Sequence, residues 1–136
     1  MKNEFWLNLP VYDIEKSIVF FTQLGFGLKN EANKMVSLLV GNQDVVINLF
    51  EEKDFRDFSG NPIADTKHAT EVLFNLGAEN RQEVDELAEK ITQAGGKIFR
   101  GPEDKDGWMY GCGFTDLDGH RWSILYMDKN KMPKGY

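Results

Sequence analysis

The carboxylate of Glu71 is the side chain best placed for acid–base chemistry, since it stands at the start of an alternating apolar segment. In a pocket beside an aromatic ring such as that of Trp6, a carboxylate can act as a general base or bind a cationic group. At a strand end in water it is only a solvated charge. Trp6, Trp108 and Tyr110 offer flat surfaces for a planar or cationic ligand, unless they are ordinary core residues. Glu71 is therefore the candidate catalytic base.

Other nucleophiles and metal ligands are few and scattered. Cys112 is the only cysteine and lies between two glycines in a strand-like run, which favours a small core or pocket-wall residue over a nucleophile. A single cysteine excludes an intrachain disulfide and, with no signal-peptide-like segment, favours the cytoplasm. His68 and His120 fall in a polar linker and a turn, so they do not form a recognisable two-histidine metal site.

The first half of the chain reads as strand, helix and three strands. Asp13 is a predicted N-cap, and Gly25 stands where the helix should stop. A hairpin loop is predicted at 41–44. The strand-like segments cover residues 5–9, 26–30, 35–40 and 45–50.

The second half repeats this order. Asn80 and Glu83 form a capping-box pattern at the start of a helix that ends at Gly95-Gly96. The run Asp116-Leu117-Asp118-Gly119 is a strong turn signal between the last two strands. The strand-like segments cover residues 71–76, 97–100, 109–115 and 121–127.

Two βαβββ units therefore predict an α+β fold, in which two modules form an open, incompletely closed sheet around a concave pocket. One helix covers only one face of a four-stranded sheet, so the other face must line a cavity or meet a partner. The linker contains a short helical turn whose residues Phe55 and Phe58 cover the edge of the core or pocket. The predicted boundaries are module 1 at about 4–50, a linker at about 51–70, module 2 at about 71–128 and a tail at 129–136.

Strand alternation predicts which side chains line the concavity between the two sheets. Phe5, Leu7 and Leu9 are expected to face the first helix, and the alternate residues to face the pocket. The same reasoning applies to the second module, where Val72 is expected on the helix side. The predicted ligand-binding set is Trp6, Asn8, Asn48, Glu71, Leu73, Asn75, Trp108, Tyr110 and Ser123. Aromatic walls with a few amides, one hydroxyl and one carboxylate suit a small organic molecule.

Length and charge exclude several other classes of protein. A chain of 136 residues is long enough for one domain. Its composition, with 41% hydrophobic and 28% charged residues, is typical of a globular protein. Sixteen basic against twenty-two acidic residues give a net charge of −6. This balance provides no basic footprint for nucleic acid, and no segment is apolar enough to span a membrane. We expect neither partner.

The paired units, with Asp116-Leu117-Asp118-Gly119-His120 before a final strand, resemble the vicinal oxygen chelate superfamily. That superfamily contains glyoxalase I, bleomycin resistance proteins and extradiol dioxygenases. The opening Leu9-Pro10-Val11-Tyr12-Asp13 fits the same pattern. The run Gly107-Trp108-Met109-Tyr110-Gly111 resembles a branch of small bacterial glyoxalase-like proteins. The resemblance covers residues 5–128.

In the metal-dependent members, the resemblance implies four His, Gln or Glu ligands on four strands. The corresponding positions here are Trp6, Asn48, Glu71 and Ser123. One carboxylate, one amide and one hydroxyl are too few donors for a divalent cation, and an indole cannot ligate. We therefore expect no cofactor and disfavour a divalent metal.

Two functions fit the sequence. The first is a metal-free binding protein of the bleomycin-resistance type, in which a homodimer sequesters a small organic molecule. The second is an enzyme, either a metal-dependent one like lactoylglutathione lyase or an extradiol dioxygenase, or one that uses Glu71 as a base. A homodimer is expected because open sheets expose edge strands, and the resemblance implies the same.

Overall fold

The computed structural model describes residues 1–32, 34–41 and 45–136. Two compact units divide the chain, unit 1 at Met1–Asp65 and unit 2 at Thr66–Tyr136. In order, the elements are β1 (Trp6–Val11), α1 (Ile14–Gln23), β2 (Gly27–Ala32), β3 (Met35–Leu39), β4 (Val46–Glu51), α2 (Glu52–Ser59), β5 (Leu73–Gly77), α3 (Arg81–Gln93), β6 (Lys97–Lys105), β7 (Met109–Thr115) and β8 (Arg121–Met127). Of the predicted hairpin loop, residues 42–44 lie outside the described residues.

Each unit contains one four-stranded sheet, which is not closed into a barrel. Sheet 1 has the order β1-β4-β3-β2, and sheet 2 has the order β5-β8-β7-β6. In both sheets the first strand pairs parallel with the last, and the remaining pairs are antiparallel. The predicted α+β fold of two βαβββ modules is confirmed.

The two covering helices begin where the sequence predicts. Asp13 Oδ1 accepts a hydrogen bond of 3.0 Å from the Lys16 backbone N–H, which caps α1. Asn80 Oδ1 accepts one of 2.8 Å from Glu83 N–H, which caps α3. These side chains satisfy N–H groups that the first helical turn leaves without a partner. Both predicted caps are confirmed.

Each helix packs an apolar face against one side of its own sheet. In unit 1 the buried core includes Phe20, Phe21, Leu9, Leu49 and Val36. In unit 2 the buried core lies between α3 and the strands β7 and β8. Its residues include Val84, Ile91, Cys112, Phe114, Trp122 and Ile124. The burial of these apolar side chains is the main favourable contribution to the stability of each unit.

Three local predictions were wrong. Phe5 precedes β1 and is 75% exposed, and Val72 precedes β5 and is 51% exposed, so neither packs against a helix. The strand predicted at 97–100 continues through Pro102 to Lys105. The chain tolerates Pro102 there because β6 is an edge strand, and its pairing with β7 is interrupted by register shifts. The predicted helical turn in the linker is an eight-residue helix, α2.

The turn between β7 and β8 is built around the buried carboxylate of Asp116. Its Oδ1 accepts hydrogen bonds of 3.0 Å from the backbone N–H groups of Asp118 and His120. Its Oδ2 accepts one of 3.0 Å from Trp122 Nε1. Thr66 Oγ1 donates to the Asp118 carbonyl at 2.6 Å. The predicted turn is confirmed, and its first aspartate holds the connection together.

Among the described residues, no helix is long and apolar enough to cross a membrane.

Candidate functional site

The face of sheet 1 opposite α1, here called distal face 1, carries a row of three polar side chains. Asn8 on β1 lies beside Asn48 on β4, and Asn48 lies beside Ser37 on β3. Ser37 is buried, Asn48 is half-buried and Asn8 is exposed. The predicted parity of β1 holds here, since Leu9 and Val11 are buried on the helix side.

These three side chains are connected by hydrogen bonds. Ser37 Oγ donates to Asn48 Oδ1 at 2.7 Å, and Asn48 Nδ2 donates to Asn8 Oδ1 at 2.9 Å. The described residues give Asn8 Nδ2 no hydrogen-bond partner. The row therefore ends in an exposed amide donor, and the exposed Trp6 lies two residues before it on the same strand. This arrangement of neutral donors and acceptors is fixed before any ligand arrives.

The equivalent distal face 2, opposite α3 on sheet 2, has a different composition. Asn75 on β5 lies beside Ser123 on β8, which lies beside Gly113 on β7. Two residues earlier on the same strands, Leu73 on β5 lies beside Arg121 on β8. Both side chains are on the same face of the sheet as Ser123. Asn75 and Leu73 are exposed, whereas Ser123 is buried and Arg121 half-buried. Distal face 2 therefore combines two neutral polar groups with the positive charge of Arg121, and Lys97 on the edge strand β6 lies in the same row as Arg121.

The ring of Phe99, on the edge strand β6, contacts the guanidinium of Arg121. A Cβ atom at Gly113 would lie 2.5 Å from Phe99 Cε2 and Cζ, so the ring occupies the space that a side chain at 113 would need. The Arg121 guanidinium carbon lies 4.3 Å from the centroid of the Phe99 ring. This is a cation–π contact, which favours a position of the guanidinium against the ring.

Two residues of the predicted pocket lie on the opposite side of sheet 2. Tyr110 has the parity of the buried Cys112, and its hydroxyl donates to Asp85 Oδ1 of α3 at 2.7 Å. Trp108 shares that parity, is buried, and packs against Tyr136 with ring centroids 5.0 Å apart. Their prediction as pocket residues was wrong, because β7 begins at Met109 and its pairing puts Gly111 and Gly113 beside Leu125 and Ser123.

The register also changes the predicted metal-ligand positions. The partner of Asn48 on β1 is Asn8, whereas Trp6 pairs with Val46. The partner of Ser123 on β5 is Asn75, whereas Glu71 is exposed and precedes the strand by two residues. The set Trp6, Asn48, Glu71 and Ser123 therefore does not form two cross-strand pairs.

The pairs that do form are Asn8 with Asn48 and Asn75 with Ser123, which supply three amides and one hydroxyl. Within the part of the chain that the structure describes, no group of three or more His, Cys, Asp or Glu side chains could hold a metal ion. Asn48 already uses its amide oxygen and nitrogen on Ser37 and Asn8. These neutral donors do not fit the divalent metal of the superfamily's enzymes.

Cys112 is fully buried in the core of unit 2. Burial raises the pKa of its thiol to about 11, because the thiolate loses its hydration. The thiol is therefore protonated at neutral pH and is not a nucleophile. The sequence-based preference for a small core residue is confirmed.

The sequence interpretation missed Ser37 and Arg121. Ser37 follows Val36 in an apolar strand, and its parity becomes informative only once Asn48 is known to lie beside it. Arg121 directly follows a turn and reads as a solvated charge. The signal that was available is the alternation Arg121, Ser123, Leu125, which puts the arginine on the same face as a predicted site residue.

Residues 5–124 match the sequence profile of the Glyoxalase/Bleomycin resistance protein/Dioxygenase superfamily. A solved structure of the hypothetical protein SA1046 from S. aureus is similar to this chain, with 36% identity and a TM-score of 0.83, over 93% of this chain and 94% of that one. A glyoxalase-related enzyme from Fulvimarina pelagi shares the fold at 17% identity, with a TM-score of 0.79 and coverage of 92% and 88%.

A glyoxalase/bleomycin resistance protein/dioxygenase family enzyme from Burkholderia phytofirmans PsJN also shares the fold. Its identity is 16% and its TM-score 0.76, over 90% of this chain and 96% of that one. Among curated proteins, no match was found.

Proposed function

Because the chain belongs to the Glyoxalase/Bleomycin resistance protein/Dioxygenase superfamily, we propose that it binds a small organic molecule without a metal. Each distal face, taken by itself, supplies polar side chains that can contact such a molecule. The closest functional class is the bleomycin-resistance type, which sequesters its ligand.

The observation that carries this proposal is the hydrogen-bonded row Ser37–Asn48–Asn8 on distal face 1. These hydrogen bonds satisfy Ser37 and Asn48, so the face keeps polar groups where apolar side chains would otherwise be expected. Its exposed end, together with the exposed Trp6, offers an amide donor beside an aromatic surface. Ligand sites for small organic molecules combine apolar walls with a few fixed polar groups in this way.

The metal-dependent alternatives, a lactoylglutathione-lyase-like or extradiol-dioxygenase-like enzyme, receive no support from the donor set. Their chemistry needs carboxylate or imidazole ligands, and the paired positions hold Asn8, Asn48, Asn75 and Ser123. Glu71 as a general base also lacks support, since it is exposed and outside β5. Desolvation, which would make a carboxylate a better base, is missing at an exposed position.

Thermal melts against a library of small organic molecules, in buffer containing a chelator, test the proposal. A true ligand at 100 times its dissociation constant stabilises the wild type by about 2.7 kcal/mol. This shift should vanish in Asn48→Leu and fall in Asn8→Ala, a milder change at the exposed end of the row. The matched control Gln93→Ala, on the exposed surface of α3, should keep it. A library without stabilising compounds, or shifts that need added divalent metal, would contradict the proposal.

We also propose that the protein is a homodimer. Each sheet has two edge strands, and several large apolar side chains are exposed in the monomer. Among them, Phe5 is 75% exposed, Tyr12 84% and Phe58 71%. Association with a second copy would cover such surface. Sedimentation equilibrium at tens of micromolar should give twice the mass of the chain, and a monomer at that concentration would refute the dimer.

A further inference from the structure

We propose that Arg121 anchors the carboxylate group of a small organic molecule on distal face 2. This inference rests on the proposed function and adds the chemical class of the ligand. Arg121 lies on distal face 2, in the row next to Asn75 and Ser123. It carries a positive charge in the centre of this face, whereas Lys97, in the same row, lies on the edge strand β6.

Phe99 contacts the guanidinium of Arg121, whose Nε donates no hydrogen bond to the described residues. Phe99 lies against the backbone of β7 at Gly113 and presents its ring to Arg121, 4.3 Å from the guanidinium carbon to the ring centroid. A cation–π contact uses the π face of the ring and none of the guanidinium N–H groups as hydrogen-bond donors to oxygen. The contact with Phe99 therefore leaves these N–H groups available for another partner.

One donor atom of Arg121 lacks a hydrogen-bond partner in the described part of the chain. Its Nε is buried and has no hydrogen-bond partner among the described residues. A buried polar atom without a partner is costly, and in native proteins it usually has an explanation such as a ligand. The other arginine of sheet 2, Arg100, is exposed and lies 3.9 Å from Glu103 Oε1, which shows the ordinary alternative.

The neighbours of Arg121 leave its charge uncompensated. Its cross-strand partners are Leu73 on β5 and Thr115 on β7, and neither is acidic. Glu71 lies two residues before Leu73, but it is exposed and forms no ion pair with Arg121 in the described part of the chain. A cationic ligand would be repelled here, and a neutral one would leave Nε without an anionic acceptor.

A carboxylate fits this setting better than a phosphate does. The planar guanidinium binds a planar carboxylate through two parallel N–H···O bonds, and one positive charge balances one negative charge. The adjacent groups, the Ser123 hydroxyl and the Asn75 amide, are neutral and can hydrogen-bond polar atoms beside the carboxylate. A phosphate dianion would call for a second cation beside the first. The other cation of this row, Lys97, is exposed on the edge strand β6, with Thr115 between it and Arg121.

Calorimetric titration with matched pairs of small carboxylic acids and their primary amides tests this inference. The pairs are benzoate with benzamide and phenylacetate with phenylacetamide, and phenyl phosphate is the dianionic comparison. In the wild type, at least one acid should bind tenfold or more tightly than its amide and more tightly than phenyl phosphate. Arg121→Gln should abolish the preference, and Arg121→Lys should keep part of it. Arg100→Gln is the matched control and should behave as the wild type.

Direct observation of the side chain separates a ligand contact from a structural effect. The ¹⁵N-correlated resonance of Arg121 Nε–H should shift on titration with the acid and stay in place with the amide. Equal affinity for acids and amides, or a preference that survives Arg121→Gln, would overturn the inference. Tighter binding of phenyl phosphate would reassign the guanidinium to phosphate and overturn the carboxylate. Neutral compounds that bind and depend on Asn48 would overturn this inference alone and leave the proposed function intact.

Discussion

The distal faces of the two sheets share one topology and differ in chemistry. On distal face 1, Ser37 on β3 completes a chain of side-chain hydrogen bonds with Asn48 and Asn8. On distal face 2, the equivalent position on β7 is Gly113, and the space above it holds the ring of Phe99. Ser37 in unit 1 therefore adds a hydroxyl beside Asn48, whereas Gly113 in unit 2 adds no polar side chain beside Ser123.

This difference shows what the shared fold fixes and what it leaves free. In each unit, the first strand pairs with the last. This pairing puts Asn8 beside Asn48 in unit 1 and Asn75 beside Ser123 in unit 2. The residue on the neighbouring strand then differs. Ser37 on β3 extends a neutral polar surface in unit 1, whereas Gly113 on β7 leaves space in unit 2 for the Phe99 ring that contacts Arg121. Topology gives positions, and the side chains give the chemistry.

The largest difference between the units should appear when buried polar groups are truncated. Asp116→Ala leaves two backbone N–H groups and the indole N–H of Trp122 without their acceptor, which we expect to cost about 3 kcal/mol of unfolding free energy. Ser37→Ala in unit 1 removes one hydrogen bond and should cost about 1 kcal/mol. Urea denaturation of both variants measures this. Equal losses would mean that the Asp116 turn adds no special stability.

The same turn predicts a pH dependence. Burial raises the pKa of the Asp116 carboxyl above its ordinary value of 3.8, so the folded state holds this proton more strongly than the unfolded state does. The stability that protonation contributes is therefore full below pH 3.8 and is lost as pH rises through the folded pKa.

Denaturation of the wild type and of Asp116→Asn, which does not titrate, isolates this contribution. The stability of the wild type relative to the variant should fall as pH rises from about 4 toward neutrality. A relative stability that increases with pH would show that the hydrogen bonds to the carboxylate outweigh its desolvation.

A smaller effect should separate two glycines in equivalent sheets. A Cβ at Gly111 in β7 would lie 2.4 Å from the Ile124 carbonyl oxygen, whereas one at Gly27 in β2 would make an ordinary 3.5 Å contact with Leu39. Gly111→Ala should therefore cost about 2 kcal/mol, and Gly27→Ala should be nearly neutral. Thermal melts of the two variants provide the measurement. A stable Gly111→Ala protein would show that β7 and β8 can move apart.

The sequence was sufficient for the order of the elements and for the ends of the helices. Asp13, Asn80 and the Asp116 turn act locally, through hydrogen bonds to residues two to six positions away, so their roles are visible in the chain itself. The parity of β1 was also predictable, because its apolar residues alternate cleanly.

The face assignments in β7 and at the start of β5 depended on pairing between distant residues. Trp108 and Tyr110 looked like pocket residues because register cannot be read from one strand, and an offset of one residue moves a side chain to the other face. Arg121 and Phe99 come together only through β7 and the irregular pairing of β6. Such long-range features require the folded chain.

The smallest expected effect is that of added divalent metal on either face. Zinc, nickel or manganese should leave the melting temperature of the wild type unchanged, because the cross-strand pairs Asn8–Asn48 and Asn75–Ser123 lack charged donors. A shift of about 2.7 kcal/mol in the wild type, the value for a ligand at 100 times its dissociation constant, would refute the neutral-site description.

Native mass spectrometry of the wild type, after exhaustive chelation and loading with the most stabilising compound from the thermal melts, tests metal-free binding most directly. We predict one organic molecule per chain, with no increment for a divalent metal and with loss of the adduct in Asn48→Leu. An adduct that forms only when a stoichiometric metal is restored, and that persists in Asn48→Leu, would contradict the account.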